Sequence, residues 1–216
     1  MTSDDKEKRL VRKGRMLFTI SGIDGRKRPW FPAHSKLAAL ILKDRKFTIE
    51  NPEGNVSENE EIKSILYLGG GHGTTVTHLS DLFPDAKIFV VEFGPSMYDI
   101  MKLAGERNNV FPIMEDAAQV EKYASLFQGE SVDLLYQDIA QRDQVGILGK
   151  NFRFLRNGGR FIFMLKVRSM DQGREKGEVA REVLDELKNI SGLKVDGFTD
   201  LGTYQKDHYA FVGGKK

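Results

Sequence analysis

Along most of the chain, short unbroken apolar runs take turns with longer stretches whose apolar residues recur every three or four positions. The runs at Ser64–Leu68, 88–92, 132–136 and 160–166 predict buried strands. Thr74–Leu82, 119–127, 143–154 and 173–189 have helical spacing. So does the segment opened by Pro95, which contains Met97, Ile100, Met101 and Ala104. Val110-Phe111-Pro112-Ile113 predicts an edge strand, because proline cannot donate a ladder hydrogen bond. Asn157-Gly158-Gly159 is expected to close the helix before it. Runs at 193–201 and 208–212 complete the set. Ahead of them, Met16–Ile20 predicts a strand in a short β-rich arm. Ser35 is placed to cap a helix over 36–42, with Leu37, Leu40 and Ile41 on one face. A stretch rich in Glu, Asn and Gly over 50–60 predicts a loop. The expected division is an N-terminal arm of residues 1–34 and an α/β domain of residues 35–216. Its sheet should be mainly parallel, with helices on both faces.

In such a sheet ligands sit beyond the carboxyl ends of the strands, near the point where strand order reverses. The first strand of the domain ends in Gly69-Gly70-Gly71-His72-Gly73-Thr74-Thr75. Residues without side chains let the backbone turn sharply and let a ligand lie against it. About twenty residues on, the second strand ends at Glu92, where a carboxylate can take both hydroxyls of a ribose. Together they offer a seat for a nucleoside-bearing cofactor. The dinucleotide fingerprint is incomplete, since its third glycine falls on Thr74 or Val76, which disfavours an NAD enzyme. Asp116, Asp138 and Lys166 also fall at strand ends. Lys166 follows Phe161-Ile162-Phe163-Met164-Leu165, so its charge sits where burial would otherwise penalise it.

Composition narrows the field. The chain has 216 residues, 40% hydrophobic and 30% charged, which suits a globular domain with a substantial core. It has no cysteine, which removes disulfides, thiolate metal sites and a cysteine nucleophile. No apolar run reaches ~20 residues and the N-terminus lacks an apolar h-region, so neither a membrane span nor a secretory signal is expected, and a cytoplasmic location follows. The net charge is only +2, but it is uneven. Lys6, Lys8, Arg9, Arg12, Lys13 and Arg15 crowd the start, and Arg26, Lys27 and Arg28 precede Trp30 and Phe31. That pattern fits either an RNA-contacting stripe or a solvated arm. His72 and His78 lack a clustered carboxylate, so no metal site is expected.

Seven ordered motifs then resemble the fibrillarin family. They are Trp30-Phe31-Pro32-Ala33-His34-Ser35-Lys36-Leu37-Ala38-Ala39, the turn from Leu68 to Thr75, Val91-Glu92-Phe93, Glu115-Asp116-Ala117, Asp138-Ile139-Ala140-Gln141, Lys166-Val167-Arg168-Ser169 and Lys206-Asp207-His208. The short arm is similar to the archaeal fibrillarin-like type. The resemblance implies a class I methyltransferase fold, S-adenosylmethionine as methyl donor without a metal, and 2′-O-methylation of ribose in pre-rRNA and tRNA. It implies box C/D guide RNA and target RNA as partners, with a Nop-domain scaffold protein and a kink-turn-binding ribosomal-type protein. The chain departs from the family pattern at Gly70-Gly71-His72, at His34 and at Gln137.

The resemblance places a Lys-Asp-Lys-His set on Lys36, Asp138, Lys166 and His208. A ribose hydroxyl is a poor nucleophile until it loses its proton, so the site needs an acceptor and nearby positive charge. Asp138 fits the first need, while Lys166 and Lys36 fit the second. For the cofactor, Gly69, Gly71 and Gly73 would line the turn. Thr74 and Thr75 would meet the methionine carboxylate, Glu92 the ribose, and Phe93, Asp116 and Ala117 the adenine. Asp138, Ile139, Ala140 and Gln141 would lie towards the methionine amino end. Two rivals remain open: a non-catalytic RNP-binding subunit, and an aminopropyl transferase of the spermidine synthase type. The second would need acidic residues for a polyamine, where this rim offers lysines.

Overall fold

The computed structural model describes residues 9–47, 49 and 62–216. The loop expected over 50–60 lies outside the described residues, as do Lys6 and Lys8.

The chain opens with a three-stranded antiparallel sheet, β1 (Leu10–Lys13), β2 (Met16–Ile20) and β3 (Lys27–Trp30). α1 (Lys36–Lys43) follows. Its cap is Ser35, whose Oγ accepts from the Ala38 amide at 3.3 Å. The larger sheet is built from β4 (Ser64–Leu68), β5 (Lys87–Glu92), β6 (Val110–Met114), β7 (Val132–Gln137), β8 (Leu155–Lys166), β9 (Leu193–Asp200) and β10 (His208–Lys215). Its order is β6-β5-β4-β7-β8-β10-β9. The ladders between β6 and β8 are parallel, and β10 runs antiparallel to both its neighbours. From β4 the chain winds first to β5 and β6, then back across to β7 and β8. The switch point therefore lies between β4 and β7. Pro112 does sit on an edge strand.

Alternation along the strands divides the core. Ile65 and Tyr67 of β4, with Leu134 and Tyr136 of β7, face α1, α2 (Thr74–Leu82) and α3 (Met97–Glu106). Leu66, Leu68, Leu135, Phe161 and Phe163 face the other way, against α4 (Gln144–Asn151) and α6 (Lys176–Lys188). Both faces are covered, which is why these strands read as unbroken apolar runs.

Two expectations are corrected. Residues 119–127 do not form one α-helix but two 3-10 turns, Val120–Lys122 and Ala124–Phe127. The inward residues Val120, Tyr123 and Phe127 suit turns of three as well as helical spacing. Tyr123 lies between the two turns, and its buried hydroxyl donates to Asn151 Oδ1 at 2.6 Å. Asn157-Gly158-Gly159 does not close a helix. It lies inside β8, where the pairing jumps from Val132↔Leu155 to Leu134↔Arg160. The extra residues form a bulge, and Gly158 takes φ +72° within it.

The N-terminal sheet packs on α2 through a buried polar knot. Asp81 is fully buried and takes Arg107 Nη1 at 2.8 Å, Thr19 Oγ1 at 2.9 Å and Arg28 Nε at 3.4 Å. Trp30 is buried and stacks on His78 with ring centroids 4.6 Å apart. Arg12 reaches the last carbonyls of α1, Ile41 and Leu42. Trp30 is thus part of the core, while Arg12 and Arg28 make these contacts and stay partly open to solvent. Phe31 stays exposed.

Candidate active site

The carboxyl ends of the parallel strands form one rim. Gly69 to Thr75 follow β4, Glu92 and Phe93 end β5, and Asp116 and Ala117 follow β6. Asp138 to Gln141 follow β7, and Lys166 ends β8. β10 runs the other way, so its first residue reaches the same rim, with His208 opposite Lys166 in register. Lys36, in the first turn of α1, completes the set.

The glycine turn is shaped by contact. Gly69 has φ +84°, and a Cβ there would lie 2.4 Å from the Asp138 carbonyl oxygen. Only glycine lets β4 and β7 stay this close, with the Asp138 amide donating to the Leu68 carbonyl at 2.9 Å. Gly71 has φ +52° and open space around its Cα. Its amide donates to Glu92 Oε2 at 2.7 Å, while the Phe93 amide donates to Oε1 at 2.9 Å. Glu92 is therefore held between the first two strand ends, with lone pairs left on both oxygens. His72 Nδ1 pairs with Asp99 Oδ2 at 2.6 Å and ties the turn to α3.

Thr74 is exposed, but Thr75 is buried and its hydroxyl meets Ser35 Oγ at 2.9 Å. The Thr75 hydroxyl thus meets the residue that caps α1. Asp116 Oδ1 accepts from the Ala118 amide at 2.9 Å and from Gln141 Nε2 at 2.8 Å. Gln141 is accordingly drawn to Asp116, not to Asp138. Ala117 and Ile139 are buried, Ala140 and Phe93 exposed.

Lys36 Nζ meets both Asp138 oxygens, at 2.7 and 3.0 Å, across a sequence separation of 102 residues. The direct ionic partner of Asp138 is thus Lys36. His208 lies within the field of all three. Burial first, then the Lys36 charge, hold its pKa below the ordinary histidine value, with Asp138 opposing and Lys166 adding to the fall. His208 Nδ1 lies 2.6 Å from the Lys206 carbonyl. A carbonyl only accepts, so Nδ1 carries the proton and Nε2 is the basic nitrogen of the neutral ring.

One supporting group left no trace in the sequence. Gln144, fully buried in the first turn of α4, grips the Lys166 backbone from both sides. Its Oε1 accepts from the Lys166 amide at 2.9 Å, and its Nε2 donates to the Lys166 carbonyl at 3.1 Å. Gln137 Nε2 donates to the Gln144 carbonyl at 2.7 Å. The departure at Gln137 thus sits behind the rim, in its support.

A cavity of about 470 Å³, lined in part by Ala118, Glu121, Lys122, Lys150 and Arg153, includes none of the seven motifs' charged residues. Among the described residues no helix is long and apolar enough to cross a membrane.

Comparison with known proteins places this geometry. The fibrillarin family model matches residues 6–216. A fibrillarin-like rRNA/tRNA 2′-O-methyltransferase of Methanoculleus marisnigri is 40% identical, over 88% of this chain and 87% of the relative. Its namesake from Archaeoglobus fulgidus is 38% identical over 84% and 80%. Among solved structures, fibrillarin from a fibrillarin/Nop5p complex superposes with a TM-score of 0.82 at 33% identity, covering 97% of this chain and 98% of that one. Aeropyrum pernix fibrillarin with natively bound S-adenosyl-L-methionine gives 0.76 at 35% identity, over 92% and 88%. The N-methyltransferase NodS of Bradyrhizobium japonicum, 14% identical with a TM-score of 0.54, shares the fold alone, the class I methyltransferase fold. With the family model spanning nearly its whole length and relatives alike over most of it, this chain belongs to the fibrillarin family.

Proposed function

We propose that the chain transfers a methyl group from S-adenosylmethionine to ribose 2′-hydroxyls of rRNA and tRNA. The observation that carries this reading is the Lys36–Asp138 contact, which joins the first helix to the end of β7 at the switch point. The relatives named above support it, as does the cofactor found in the Aeropyrum pernix protein.

The residues present fit that cofactor. Gly71 leaves open space over the turn, and Glu92 keeps lone pairs for two hydroxyls. Phe93 offers an exposed ring, and Asp116 Oδ2 has no hydrogen-bond partner among the described residues. Glu92, Phe93, Asp116 and Ala117 would hold the nucleoside, and Gly69, Gly73, Thr74, Ile139 and Ala140 the rest. When bound, the cofactor supplies an electrophilic methyl group. Asp138 orients the ribose hydroxyl and accepts its hydrogen bond. Lys36 sets the carboxylate in place, and Lys36 and Lys166 stabilise negative charge growing on the ribose oxygen. His208 presents a neutral ring to the same point. Lysines at this rim suit a polyanion better than a polyamine, which disfavours aminopropyl transfer.

A net charge of +2 gives the chain modest attraction for phosphate, so turnover is expected to depend on partners. Box C/D guide RNA would choose the target by base pairing, a Nop-domain scaffold and a kink-turn-binding protein would present it, and the site of action would be the cytoplasm. The test is single-turnover methylation with labelled cofactor, guide, target and both proteins, followed by mapping of the ribose. Asp138→Asn and Lys166→Met should each lower the rate about 10²–10⁴-fold while the particle still assembles. Near-normal transfer by Lys166→Met would refute the mechanism, and absence of any ribose methylation by the unaltered chain would refute the function.

A further inference from the structure

Asp207 has φ +63°, in the left-handed region that a non-glycine residue rarely occupies. Such outliers persist only where the surroundings hold them, and they gather at functional sites. Here the surroundings are explicit. The Asp207 carboxylate pairs with Lys176, in the first turn of α6, and with Arg168 Nε at 3.6 Å, in α5 (Val167–Met170). Its carbonyl accepts from the Val167 amide at 3.1 Å, directly after Lys166. Two elements, α5 and α6, thus converge through three contacts on one residue that touches none of the proposed reactants.

The residue after it is His208. The orientation of the Lys206 carbonyl relative to His208 is set by the two Asp207 torsions between them. In the observed turn that carbonyl lies 2.6 Å from His208 Nδ1. The opposite tautomer would aim two lone pairs at each other across this distance. We propose that Asp207 is a positioning residue for His208. Its left-handed backbone, held by Arg168 and Lys176, turns the Lys206 carbonyl onto Nδ1 and leaves Nε2 as the unprotonated nitrogen of a ring that feels Lys36, Asp138 and Lys166. The proposal rests on the reading of His208 as part of the methyl-transfer site. It gives Asp207 of Lys206-Asp207-His208 a task distinct from proton transfer.

The tautomer can be read without RNA or cofactor. Long-range proton–nitrogen NMR on the full chain at pH 8, with His208 assigned through His208→Gln, distinguishes the two protonated nitrogens. The unaltered chain should show His208 protonated at Nδ1. Asp207→Asn should retain that state, because asparagine tolerates the left-handed region and its amide oxygen can still accept from Lys176. Asp207→Ala should populate the Nε2-protonated form. In the assembled particle, Asp207→Ala should slow single-turnover transfer about ten-fold with cofactor affinity unchanged, and Asp207→Asn should restore most of the rate. An Nε2-protonated ring in the unaltered chain or in Asp207→Asn overturns the proposal. So does an Asp207→Ala chain that keeps the Nδ1 proton. Should Asp207→Ala not fold, the other two spectra still decide. A failure to methylate RNA would overturn the proposed function while leaving the tautomer result readable by itself.

Discussion

Replacing Gly69 by alanine puts a methyl group where the chain already has a backbone. The new Cβ would lie 2.4 Å from the Asp138 carbonyl oxygen and 2.7 Å from Ile139 Cγ2. Two costs add. Holding φ at +84° costs alanine roughly 1–2 kcal/mol. Relieving the overlap requires the ends of β4 and β7 to part, which weakens the 2.9 Å bond from the Asp138 amide to the Leu68 carbonyl, worth about 0.5–1.5 kcal/mol. With residual repulsion the total is about 2–4 kcal/mol, at the upper end of ordinary single substitutions. Gly71→Ala is the control. It also sits at positive φ, but its Cβ would meet nothing within 4 Å, so only the first cost applies, about 1 kcal/mol. Urea unfolding of the three chains should show the Gly69→Ala midpoint well below that of Gly71→Ala, with a common slope. Moving the Asp138 carbonyl also moves the carboxylate that Lys36 holds, so Gly69→Ala should lower methyl transfer by more than its stability loss alone explains. Equal destabilisation by the two substitutions, or a larger effect at Gly71, would refute the reasoning.

Glu92→Ala should weaken S-adenosylmethionine binding by about 1.5–3 kcal/mol, the range for hydrogen bonds to a charged group, as measured by calorimetry. Gln144→Leu leaves the Lys166 amide and carbonyl without their partner and should cost about 2–4 kcal/mol of stability in urea. Its transfer rate at saturating cofactor should fall while cofactor affinity holds. Buried His78 has its pKa lowered to about 4, chiefly by desolvation, from an ordinary 6.5. The unfolded chain binds that proton first as pH falls. The stability from the neutral ring is therefore complete above pH 6.5 and is lost on descent towards pH 4, by about 3 kcal/mol. A urea midpoint that stays flat between pH 7.5 and 4.5 would count against this.

The sequence by itself determined the alternation of strands and helices, and with it the rim. Runs such as Ile65-Leu66-Tyr67-Leu68 are apolar on both faces because helices cover both, and that burial is legible without coordinates. Pro112 marked an edge for the same kind of local reason: it lacks a donor. The ordered motifs carried the family and the candidate quartet. What the sequence could not settle was decided by neighbours far along the chain. Residues 119–127 carry spacing compatible with two conformations, and the fold takes two 3-10 turns with Tyr123 bonded to Asn151 across 28 residues. Asn157-Gly158-Gly159 has the composition of a helix stop, but pairing with β7 makes it a bulge. Trp30 stands beside basic residues in the sequence, and only the fold stacks it on His78. Lys36 and Asp138 meet across 102 residues, and Gln144 finds Lys166 only once β7 and β8 lie side by side. Local pattern reports how each segment is buried. Which charged or polar group stands opposite another depends on strand order and register, and these exist only in the folded chain.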